Sequence, residues 1–239
     1  MVVTIRFISA LVALSAAGVA QDHAGAITGF VTAGRQPVSN AQIQAREQGG
    51  SNAVRVVTSG PDGAYVLSGV AAGMYDPKIT APGFYSAEIR DIEIHAAEIR
   101  VPVVPLAIGF IADCGVERRP AYYRHSANLG ESGALAGRVL SGEAVAVSGA
   151  TVTLYLEGSG RIGSQKTGSD GTFRFAGLTT QPREYWVSIE HEGYFTEEVE
   201  HLSVVPGLEA VYSGITMESC SPGRCQPHLK TVRVIGPCA

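Results

Sequence analysis

The residues with chemical potential fall into a few short patterns. His95-Ala96-Ala97-Glu98 has the spacing of a zinc pair, and His201 is available as a distant third ligand. Gly158-Ser159-Gly160-Arg161-Ile162-Gly163 fits the glycine pattern that cradles a dinucleotide pyrophosphate. The segment Glu190 to His201 gathers five Glu and two His, a composition able to hold a cation. Asp62 and Asp170 offer oxygens to calcium but lack neighbouring carboxylates. No Gly-x-Ser-x-Gly elbow occurs, and no cysteine keeps the company of a nucleophile. Aromatic residues are the remaining lead. Tyr122 and Tyr123 stand beside Arg118, Arg119, Arg124 and His125, and Trp186 is the sole tryptophan. Aromatics on an exposed strand face stack on sugar rings or anchor peptides, whereas a Trp in a small sandwich also serves as core or inter-domain packing.

The elements that must position these residues come in two copies. Gly29-Phe30-Val31, Pro37-Val38-Ser39-Asn40-Ala41, Pro61-Asp62-Gly63-Ala64-Tyr65 and Pro82-Gly83-Phe84 recur as Gly137-Arg138-Val139, Val147-Ser148-Gly149-Ala150, Ser169-Asp170-Gly171-Thr172-Phe173 and Glu192-Gly193-Tyr194. The offsets agree: 108 from Gly29 to Gly137, 109 from Ala41 to Ala150, 108 from Asp62 to Asp170 and 110 from Gly83 to Gly193. That period far exceeds a solenoid repeat, so each copy needs its own core. Residues 26–106 hold the first and 134–218 the second. Residues 107–133 are expected as a linker and 219–239 as a cysteine-rich tail. Within each copy the period is two, as in Ala41-Gln42-Ile43-Gln44-Ala45-Arg46 and Thr151-Val152-Thr153-Leu154-Tyr155-Leu156. Such alternation marks strands with one face in a core and one in water. Ile89, Ile92 and Ile94 share one skipped step, the mark of a bulge. The Asp-Gly pairs sit between strands, where glycine accepts a positive φ. Glycine, 29 of 239 residues, exceeds the ~7% of average usage and fits many tight turns. The expected fold is all-β, two tandem Greek-key-type sandwiches of about seven strands each.

This frame weakens the chemical patterns. The His95–Glu98 motif falls at the turn between the last two strands of copy one, and His201 belongs to the other copy. A catalytic zinc needs three ligands, an open position and a general base in one pocket. The Gly158–Gly163 pattern lies between strands and opens no helix, so it reads as a hairpin loop. The Glu190–His201 segment reads as an acidic solvated face, and Asp62 and Asp170 as turn residues. No catalytic, cofactor or metal residue is expected.

The order of motifs, clearest in Thr167-Gly168-Ser169-Asp170-Gly171-Thr172-Phe173, resembles the carboxypeptidase regulatory-like domain, a prealbumin-like β-sandwich. The resemblance covers both copies. It implies a structural or binding module that accompanies other machinery, such as metallocarboxypeptidases, outer-membrane receptors or surface stalks, and it does not imply peptide cleavage. Related collagen-adhesin stalk domains lock themselves with a Lys–Asn isopeptide bond from the first strand. Residues 26–32 and 134–140 contain no Lys, so no such bond is expected.

Bulk features set the compartment. Arg6, the apolar run Phe7–Ala17 and small residues at Gly18 and Ala20 form a secretory signal peptide over 1–20, cleaved after Ala20. The run is too short to span a bilayer, and no second segment spans one. The expected location is periplasmic or secreted. A net charge of −4 offers nothing to nucleic acid. The partner is expected to be a protein or a glycan, with a carbohydrate-binding module as the alternative and a metal-dependent hydrolase as the remote one. Four cysteines in an exported chain point to disulfides. Cys225–Cys238 as a local loop with Cys114–Cys220 as a clasp between copies is one pairing, and Cys220–Cys225 with Cys114–Cys238 is its rival.

Overall fold

A computed structural model describes residues 25–34, 36–50, 54–95, 98–106, 120–180, 184–221 and 230–232. The expected signal peptide and Cys114, Cys225 and Cys238 lie outside them. The described residues are nearly all strand, with a single 3-10 turn at Ala127–Leu129. No helix among them is long and apolar enough to cross a membrane.

Copy one holds β1 (Gly25–Ala33), β2 (Gln36–Pro37), β3 (Gln42–Glu47), β4 (Arg55–Thr58), β5 (Ala64–Val70), β6 (Gly73–Thr80), β7 (Ala87–Arg90), β8 (Ile92–Ile94) and β9 (Glu98–Pro105). Then follows β10 (Tyr122–His125). Copy two holds β11 (Gly133–Ser141), β12 (Thr151–Leu156), β13 (Gly160–Lys166), β14 (Thr172–Leu178), β15 (Tyr185–Glu190), β16 (Glu197–Leu202) and β17 (Leu208–Met217), with β18 (Lys230–Val232) after it. Copy two thus has the seven strands expected. Copy one reaches nine because β2 is a two-residue ladder and because Asp91, at φ +61°, separates β7 from β8. That break is the skipped step in the Ile89–Ile94 pattern. His201, at φ +57°, marks the equivalent place in copy two.

Each copy is a two-sheet sandwich, with the period-two residues facing inward. Ile27, Val31, Ile43, Leu67 and Ile79 fill the first core, and Leu135, Val139, Val152, Leu154 and Ile189 the second. In both copies the first strand lies parallel beside the last, β1 on β9 and β11 on β17.

The recurring motifs have a common physical cause. The buried Ser59 hydroxyl donates to the Val38 carbonyl (2.7 Å) and accepts the Ala41 N–H (2.9 Å). Thr167 makes the same two bonds in copy two, to the Val147 carbonyl (2.7 Å) and from the Ala150 N–H (2.9 Å). Each hydroxyl satisfies two buried backbone groups where the chain turns between sheets. Asp62 and Asp170 cap the next turn by accepting the N–H groups of Ala64 (3.0 Å) and Thr172 (3.1 Å). The glycine after each Asp is obligatory. Gly63 and Gly171 have φ of +76° and +78°, and a Cβ at either would lie 2.4 Å from the carbonyl oxygen of Val31 or Val139.

The two copies share a sheet. Its order is β14-β11-β17-β10-β7-β6-β3-β4, so one sheet of copy two runs through β10 into the second sheet of copy one. A four-stranded sheet around β1 and a five-stranded sheet, β13-β12-β15-β16-β18, complete the two sandwiches.

Candidate functional site

Strand β10 arises within the segment expected to be a linker. Its residues Tyr122, Tyr123 and Arg124 alternate in environment because successive side chains of a strand point to opposite faces of the sheet, and both edges of the strand are paired. It runs antiparallel to β17, with Tyr123 opposite Ala210 and Arg124 opposite Glu209. It runs parallel to β7, with Tyr123 beside Ile89 and Arg124 beside Arg90.

Tyr123 turns inward and is only 4% exposed. This corrects its expected place on a ligand surface, since a residue between Ile89 and Ala210 on the inner side of a doubly paired strand has no route to solvent. Burial, reinforced by neighbouring Tyr212, pushes its phenol far above the usual tyrosine range. Burial likewise pulls the imidazole of His125 below its ordinary value. Tyr122 turns outward but is half-covered. The Arg90 guanidinium lies 4.0 Å from its ring centroid, and Arg124 donates to its hydroxyl at 3.2 Å.

Arg124 ties the copies together. Its Nε donates to Asp91 of copy one (3.1 Å), and its Nη1 donates to Glu209 of copy two (2.9 Å). Arg174 on β14 holds the other oxygen of Glu209. The Glu209 side chain is 3% exposed, against 44% and 52% for the two arginines. A nearly dry carboxylate is thereby satisfied by two charge-assisted donors whose far sides stay wet. Sequence reading missed Glu209 and Asp91, because neither is near Arg124 in the chain.

Trp186 lies on the outer face of the β13-β12-β15-β16-β18 sheet. It sits opposite Tyr155 of β12, and the two rings stack with centroids 3.8 Å apart and planes 6° apart. Both are half-buried. Tyr155 is in turn opposite Arg161 of β13, and the next outward residue of β15, Ser188, is opposite Glu198 of β16. Burial first, and then the nearby Glu200, raise the Glu198 carboxyl above its usual range. Tyr155 was not singled out from sequence, although strand parity already put it on the polar face with Thr153.

The other candidates are scattered. His95 is exposed, 3.5 Å from Glu93, at the end of β8. His201 is in the other copy and contacts Glu184. Among the described residues no group of three or more His, Cys, Asp or Glu is placed to hold a metal. Gly158–Gly163 forms the turn and start of the β12–β13 hairpin, and a strand follows it. Asp170 accepts bonds from the Thr172 hydroxyl (2.7 Å) and N–H, which hold its carboxyl below the usual range. Cys220 is disulfide-bonded to a partner outside the described residues.

The carboxypeptidase regulatory-like domain matches residues 26–106 and again 134–218. The chain belongs to the carboxypeptidase regulatory-like domain family. Both regulatory-like domains coincide with the two copies read from the repeat. No curated protein matches the chain. Among solved structures, the Bacillus anthracis TIE protein is similar at 13% identity, with 82% of this chain and 34% of that chain covered and a TM-score of 0.29. A streptococcal ancillary pilin is similar at 11% identity, covering 84% of this chain and 63% of that one, with a TM-score of 0.28. The shaft pilin of Lactobacillus rhamnosus GG is similar at 11% identity, covering 83% and 98%, with a TM-score of 0.31. The chain therefore spans about a third of the first of these proteins and under two thirds of the second.

Proposed function

We propose that the protein is an exported, non-catalytic scaffold that holds two regulatory-like domains in one fixed geometry and presents their sheet edges and loops to a protein partner. The observation that carries this reading is β10. A flexible linker would leave the domains independent, whereas β10 is hydrogen-bonded to both and clamped by Arg124 to a carboxylate from each. Two sandwiches joined in one sheet make a spacer or platform, and sheet edges are natural sites for added-strand pairing. In this reading Cys225–Cys238 closes the tail and Cys114–Cys220 adds a covalent clasp. The tail loop contributes roughly 3 kcal/mol by restricting the unfolded chain. Non-reducing peptide mapping decides between this pairing and its rival.

Small-angle scattering of the dilute protein tests the scaffold. A single elongated body that Arg124→Pro loosens is the expected result. Two independently moving domains in the unmodified protein would sink the reading.

A second reading is favoured by the Tyr155–Trp186 stack, an outward aromatic platform with Arg161 on one flank and Glu198 on the other. That arrangement suits a sugar ring, whose apolar face stacks and whose hydroxyls bond to charged groups. A glycan array probed with the purified protein tests it. Saturable binding lost in Trp186→Ala makes the protein carbohydrate-binding, and a blank array leaves the protein partner.

A further inference from the structure

The aromatic stack on the outer face of copy two has a polar row beside it. The aromatic row sets Arg161 of β13 against Tyr155 of β12, and Tyr155 against Trp186 of β15. The polar row sets Ser164 of β13 against Thr153, Thr153 against Ser188 of β15, and Ser188 against Glu198 of β16. Strand alternation puts Glu200 on the same outer face as Glu198. The charge is therefore graded across the face, with the cation on β13 and the two carboxylates on β16.

Ser188 is the unsatisfied member of the polar row. The Thr153 and Ser164 hydroxyls bond each other at 3.1 Å. Ser188 is only 7% exposed, and among the described residues its hydroxyl has no hydrogen-bond partner. It points outward, between Trp186 and Glu190 along its own strand and between Thr153 and Glu198 across it. A withdrawn hydroxyl without a partner costs stability unless something from outside the fold bonds to it.

The neighbours of Ser188 define the ligand. Glu198 makes no ion pair among the described residues, and burial followed by the nearby Glu200 opposes its charge. A cation placed there relieves both effects. The Trp186 ring spends one face on Tyr155, at 3.8 Å and 6°. Its other face turns away from β12, toward β16 and its carboxylates. An ammonium group has three donors and no acceptor, which suits a carboxylate, a lone hydroxyl oxygen and an aromatic face together. The Thr153–Ser164 pair offers partners to hydroxyls, and the aromatic pair offers apolar contact to a ring. We infer that this face binds a sugar chain bearing free amino groups, with one ammonium seated on Ser188, Glu198 and Trp186. The inference rests on the carbohydrate-binding reading of the Tyr155–Trp186 stack and specifies the sugar class. A uronate or sulfated sugar would bring its anions against Glu198 and Glu200. A lysine side chain carries the same ammonium but leaves the Thr153–Ser164 pair unused.

Isothermal titration calorimetry of the purified, oxidised protein tests this, at a pH that keeps amines charged and Glu198 ionised. The probes are a β-1,4-linked glucosamine hexamer, its fully N-acetylated counterpart, a glucose hexamer of the same linkage and a lysine hexamer. The expected result is saturable binding of the glucosamine hexamer, about tenfold tighter than any of the other three. Glu198→Gln and Ser188→Ala each weaken that binding about tenfold, the loss of one charge-assisted hydrogen bond. Both change outward side chains only, and urea midpoints confirm that the variants fold. Glu143→Gln removes the same charge from an exposed turn of copy two and leaves binding unchanged. An equal loss in Glu143→Gln would reduce the effect to general attraction by an acidic chain and overturn the inference. Acetylated and glucose hexamers bound as tightly as the glucosamine hexamer would overturn it too, while the carbohydrate-binding reading stands. No binding of any sugar would overturn both. A lysine hexamer bound as tightly as the glucosamine one would make the face a site for cationic peptides instead.

Discussion

Glu209 is the residue on which the joint between the domains turns. Its carboxylate is almost fully withdrawn from water and meets Arg124 and Arg174. Glu209→Gln leaves two arginines without their anion and is expected to cost about 2 kcal/mol, less than a fully buried pair would lose because both guanidinium groups are half wet. Urea denaturation midpoints check this. Arg124→Met and Arg174→Met each cost less than Glu209→Gln, since each leaves one donor on the carboxylate, and their effects are non-additive in a double-mutant cycle. The sequence marks Arg124 only as one of fifteen arginines. Its importance comes from Asp91 and Glu209, which lie 33 and 85 residues away in the chain.

At the scale of the element, β10 and β17 carry a pH response. Tyr123 and Tyr212 are both buried at the junction, and Tyr65 is buried in copy one. Burial raises all three phenols above their ordinary value of 10.0. The native state therefore keeps protons that the unfolded chain releases near pH 10. Stability is complete below that pH and falls as pH rises above it, by about 1.4 kcal/mol per pH unit for each tyrosine. Tyr123→Phe is expected to make the alkaline slope shallower, read from denaturation midpoints across the range. A slope unchanged by Tyr123→Phe would mean that the residue is not buried as described. Much of each domain was legible at this scale. The alternation in Ala41–Arg46 and Thr151–Leu156, the Asp-Gly turns and the skipped step at Asp91 all appear as strands, turns and a break. β10 was not legible, because four residues beside a run of arginines resemble a polar linker unless both neighbouring strands are known.

For the whole molecule, one shared sheet implies one unfolding unit. Calorimetry is expected to show a single transition whose calorimetric and van't Hoff enthalpies agree for the full chain. Arg124→Pro removes a ladder donor and the cation together, and it is expected to split that transition into two. Two transitions in the unmodified protein would show that the domains are coupled weakly, whatever their hydrogen bonds.

The sequence by itself determined the all-β class, the two copies, the faces of their strands and the family to which they belong. Those properties are written in local terms: a period of two, turn residues at fixed offsets, and a repeat visible by comparing the chain with itself. Only the tertiary structure decided that Tyr123 is inside, that Trp186 stacks outside on Tyr155, and that a four-residue strand makes two domains one sheet. Strand parity says which residues share a face. It does not say which strand lies alongside, or whether one edge or both are paired, because that choice is set by hydrogen bonds and side-chain contacts between segments far apart in the chain.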